Sequence, residues 1–71
     1  MDIKLFEFIT EIQLEKDTSF YDPEYGYYRY RIVNDISLME SVSKIDRFNK
    51  QYSRKIVPTV IGNDMFVYLW I

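Results

Sequence analysis

A chain of 71 residues with no cysteine and no histidine has no disulfide framework, no Cys/His metal centre, no thiol nucleophile and no imidazole base. Its 48% hydrophobic and 18% aromatic content is too high for a disordered segment, so it is expected to fold as a single domain, residues 1–71, around a thin core. The net charge of −2 conceals two blocks of opposite sign: residues 1–26 carry seven acids against Lys4 and Lys16, and residues 27–56 carry seven bases against Asp35, Glu40 and Asp46. Such blocks either pair internally or face different partners.

Residues 6–15 alternate. Phe6, Phe8, Thr10, Ile12 and Leu14 stand on one side, with Glu7, Glu11 and Glu15 on the other, which reads as a strand. The same segment also places Leu5, Phe8, Ile9 and Ile12 opposite Lys4, Glu7, Glu11 and Glu15, so a helix over residues 3–15 is the alternative. Next, "YYRYRIV" at 27–33 alternates Tyr28, Tyr30 and Ile32 with Arg29 and Arg31. Paired with the first segment in a hairpin, its arginines would face the glutamates. Residues 17–26 are then a loop, with Pro23 and Gly26 setting its turn.

Residues 37–52 carry a capping box, Ser37 with Glu40, ahead of Leu38, Val42, Ile45, Phe48 and Tyr52 at helical spacing. The basic residues near its end suit a helix C-terminus. "IVPTVI" and "MFVYLWI" read as strands joined at Gly62–Asn63–Asp64. The expected fold is therefore α+β, a small antiparallel sheet with one helix packed on one face, in the order β-β-α-β-β; a helical first segment would make it α-β-α-β-β.

Chemistry is sparse. Gly26 and Gly62 are the only glycines, so there is no phosphate-binding loop, and so short a chain offers little interior in which to separate two carboxylate pKa values. Asp17, Asp22 and Glu24 match no EF-hand spacing and read as a solvated acidic loop. No enzyme, cofactor or metal is expected. No basic flank marks a secretory leader at the start, and the seven-residue final apolar run is too short to cross a membrane, so a cytoplasmic setting is expected.

Binding is the remaining class. Phe66, Tyr68 and Trp70 occupy one side of the last strand while Met65, Val67, Leu69 and Ile71 occupy the other, so the strand is apolar on both faces and one helix covers only one of them. The expected protein-binding surface is the acidic loop of Asp17, Asp22, Glu24 and Tyr25, assisted by Phe66, Tyr68 and Trp70, meeting a basic protein partner. The alternative is single-stranded nucleic acid on Tyr27, Arg29 and Arg31 with Lys50, Arg54 and Lys55. A third reading is a structural or oligomeric part, including a homodimer, that pairs through its C-terminal strand. Ile, Lys, Asn, Phe and Tyr total 29 residues against 8 for Gly, Ala, Arg and Pro, as in an AT-rich genome. In size and composition the chain resembles accessory proteins of phages and mobile elements, which implies an inhibitor or adaptor acting by direct binding.

Overall fold

The computed structural model describes residues 2–70. Along the chain run α1 (Ile3–Thr10), β1 (Leu14–Asp22), β2 (Tyr27–Ile32), α2 (Leu38–Tyr52), β3 (Thr59–Ile61) and β4 (Asp64–Trp70). The strands form one antiparallel sheet in the order β1-β2-β4-β3, with both helices on the face that carries Tyr30, Ile32, Val67 and Leu69. The α+β class and the strand-strand-helix-strand-strand succession are as expected, preceded by a second helix.

That helix corrects the strand expected over 6–15, and it stops at Thr10, short of the helical alternative. Two segments compete for the outer edge of β2, and β1 takes it because Glu15 falls opposite Arg31 and Asp17 opposite Arg29. The expected carboxylate–arginine face thus forms one segment later. Residues 3–10 satisfy their backbone internally instead. Asp2 caps the helix, its Oδ1 accepting from the N–H groups of Lys4 (3.0 Å) and Leu5 (3.2 Å). Phe6 is fully buried, edge-on to Phe48 at 5.0 Å between ring centroids.

Glu11 ends α1 in a left-handed conformation, φ 58°. Asn34 secures the bend by accepting from Gln13 N–H and donating to the Glu11 carbonyl, both at 3.0 Å. Lys44 of α2 bonds the Glu11 carboxylate at 2.9 Å and holds its pKa below the usual carboxylate value.

The loop expected over 17–26 is also shorter than its sequence suggests. β1 continues to Asp22, and the turn is confined to residues 23–26, with Gly26 at φ +72°. Within β1 the register shifts: Asp17 faces Arg29 but Tyr21 faces Tyr28, so Thr18, Ser19 and Phe20 bulge from the ladder.

On α2, Ser37 caps as expected, accepting from Glu40 N–H at 3.1 Å. Ile45 and Phe48 are buried, whereas Leu38, Val42 and Tyr52 on the margins of the stripe remain partly exposed. After α2, the Asn49 side chain donates to the Ile56 carbonyl (2.8 Å) and accepts from its N–H (3.0 Å), which seats Ile56 in the core. β4 lies between β2 and β3, so it has no free edge with which to complete another sheet. Ile71 lies outside the described residues.

Candidate protein-binding face

Strand alternation and register decide what shares the face of the sheet away from the helices. Tyr27 stands opposite Trp70, Arg29 opposite Tyr68 and Arg31 opposite Phe66, all directed away from the core. Residues read from the sequence as two rival surfaces, Phe66, Tyr68 and Trp70 for protein and Tyr27, Arg29 and Arg31 for nucleic acid, therefore form one surface. α1 packs beside α2 and leaves that surface uncovered.

Its centre is self-covered. The β1 bulge turns Phe20 onto the face, edge-on to Tyr68 at 5.4 Å. The Arg29 guanidinium lies between Phe20 (5.0 Å) and Phe66 (4.8 Å) and donates through Nε (2.8 Å) and Nη2 (2.6 Å) to Asp17 Oδ2. Stacking on two rings desolvates the cation without removing its partner, so the ion pair is tighter than an open surface pair. The Ser19 hydroxyl donates to Asp17 Oδ1 at 2.6 Å. Ser19 and then Arg29 hold the Asp17 carboxyl at about 2. Phe66 is 8% exposed under this cover, which removes it from direct contact.

One end of the face is different. Tyr25 and Tyr27 are 6.2 Å apart, Tyr27 is edge-on to Trp70 at 5.1 Å, and the Arg54 guanidinium stands 5.5 Å from the Trp70 ring. Tyr25 is 66% and Trp70 38% exposed. Tyrosine, tryptophan and arginine are the residue types enriched among interface hot spots, and here they are contiguous.

The acidic loop does not survive as a free surface. Asp17 lies in β1 and is paired with Arg29, and Asp22 Oδ1 accepts from the N–H groups of Glu24 (3.0 Å) and Tyr25 (3.3 Å), closing the turn. Both carboxylates are spent on structure, and Glu24 is the acidic residue of the turn that faces solvent unbonded among the described residues. The basic set is likewise divided. Arg31 approaches Glu15 at 3.5 Å, and Lys50 lies on α2, across the sheet from the aromatic face, 3.2 Å from Asp46. Arg54 reaches the aromatic corner, and Lys55 beside it is exposed. Phe20 has little signal in the sequence beyond being an aromatic directly before Tyr21, in a segment that reads as a loop.

A groove of about 230 Å³ runs between α2 and residues 56–58, lined by Val42, Ile45, Asp46, Asn49 and Val57. It is smaller than the ~300–1,000 Å³ that small-molecule sites occupy. Among the described residues no group of three or more acidic side chains is placed to hold a metal ion, and no helix is long and apolar enough to cross a membrane. Comparison with family models, curated proteins and solved structures finds no match.

Proposed function

We propose that this chain is a non-enzymatic protein-binding module whose contact surface is the aromatic corner of Tyr25, Tyr27, Trp70 and Arg54. The contiguity of these four side chains at one exposed end of the sheet carries the reading. Tyr and Trp supply area at low entropic cost, and Arg54 supplies a charged rim. The acidity of residues 1–26 and the free Glu24 favour a basic partner, approached by electrostatic steering. A module this small would act as an inhibitor or adaptor by occupying its partner's surface, as accessory proteins of phages and mobile elements do.

Neutralisation of Arg29 by Asp17 and of Arg31 by Glu15 weighs against nucleic acid, because a phosphate would have to displace a bonded carboxylate. The test is affinity capture from cells with the parent chain, Trp70→Ala and Phe8→Ala, the last an exposed residue of α1 on the helix side. A partner retained by the parent and by Phe8→Ala but lost by Trp70→Ala supports the reading. Salt-dependent binding of labelled single-stranded RNA or DNA, lost on Arg54→Ala, would overturn it in favour of nucleic acid.

A further inference from the structure

The two free edges of the sheet are built differently. The β1 edge is blunted three times over: Glu15, Lys16 and Asp17 line it, the bulge at Thr18–Phe20 interrupts it, and the Glu7 carboxylate takes the N–H of Leu14 at 2.8 Å. These are the devices by which sheets avoid edge-to-edge pairing. The β3 edge has neither charge nor bulge, and only its length of three residues and the preceding Pro58 limit it. It reads Thr59-Val60-Ile61, β-branched throughout and without charge, and Val57, Val60 and Ile61 are 68%, 52% and 45% exposed.

The hairpin geometry shows what that edge offers. Ile61 and Asp64 close a two-residue turn and so exchange both backbone hydrogen bonds, as do Thr59 and Phe66 two positions on. Val60, between them, directs its N–H and C=O outward. The strand ends also carry opposite charge. Lys55 lies before β3 and Asp64 after it; both are exposed, and neither has an ion-pair partner among the described residues.

We propose that two copies of this chain pair antiparallel through β3, about a two-fold axis at Val60, joining two four-stranded sheets into one. Val60 of each copy then exchanges both hydrogen bonds with its counterpart, and Ile61 of one copy faces Thr59 of the other. The antiparallel arrangement brings the Lys55 end of one copy toward the Asp64 end of the other, a complementarity that a parallel arrangement would lose. Pro58, which lacks an N–H, bounds the pairing on one side and the Gly62 turn bounds it on the other, so the contact is short and its affinity modest, in the range of roughly tens of micromolar.

Sedimentation equilibrium over a concentration series tests this. The parent chain is expected to pass from monomer to dimer, with Val60→Lys raising the dissociation constant at least about tenfold by opposing two lysines at the axis. Val60→Pro, which removes the outward N–H at a position whose N–H makes no bond within the sheet, is expected to do the same without added charge, and circular dichroism verifies that both variants fold. Lys55→Glu should weaken pairing, and the double change Lys55→Glu with Asp64→Lys should restore it. A parent chain monomeric to about 1 mM, or a dimer unaffected by both Val60 variants, would overturn the proposal. Neither outcome depends on the Trp70 corner, so failure here leaves the binding reading intact.

Discussion

Arg29 shows how one residue organises a surface. Its stem lies in β2, its guanidinium is stacked between Phe20 and Phe66, and its charge is returned to the chain by Asp17. The Asp17 carboxyl, held at about 2 against an ordinary 3.8, is lowered in the folded state. Its contribution to stability is therefore complete above the ordinary value and is lost as pH falls from there through about 2. Asp17→Asn is expected to melt below the parent near neutral pH and to converge with it near pH 2, as followed by thermal denaturation across that range. Ser41 is the opposite case: fully buried on α2, its hydroxyl has no hydrogen-bond partner. Ser41→Ala should raise stability by about 1 kcal/mol, measured by urea denaturation, because it removes a desolvated group that gains nothing in return.

Among the elements, the helix ends show where local conformation is imposed rather than preferred. α1 ends on Glu11 and α2 on Ser53, both non-glycine residues at positive φ, 58° and 54°. Glu11 is retained there by Asn34 and Lys44, whereas Ser53 only donates its backbone N–H to Asn49. Ser53→Gly is expected to stabilise the fold by about 1 kcal/mol, read from the shift in denaturation midpoint, since glycine adopts this conformation without the steric penalty of a Cβ. The bulge in β1 is a second imposed feature. It moves Phe20 onto the open face, and the regular alternation of a strand would not place it over Arg29 and Tyr68.

For the whole molecule, the balance is set by a small core shared between two helices and one face of the sheet. Phe6 joins α1 to that core through Phe48, and Phe6→Ala is expected to cost about 3–5 kcal/mol. That is comparable to the total stability such a core supplies, so the variant should be largely unfolded by circular dichroism at room temperature. Placing both helices on one side concentrates the core there and leaves the other side without a helix over it. Pairing through β3 would add stability that rises with protein concentration.

Legibility in the sequence followed the range of the interactions involved. The helix at 38–52, the turns at Gly26 and Gly62 and the burial of Tyr30 all rest on periodicity, capping or turn chemistry within a few residues, and the sequence by itself determined them. Whether residues 6–10 are strand or helix depended on which segment wins the edge of β2, a comparison between residues far apart in the chain. Asp17 and Asp22 looked free because their partners, Arg29 and the turn amides, are fixed only once register and turn length are set. The tertiary structure alone merged the two rival surfaces into one face, moved the last strand to the interior of the sheet and left β3 as the open edge. Strand order is a property of the whole fold, and local sequence pattern carries no record of it.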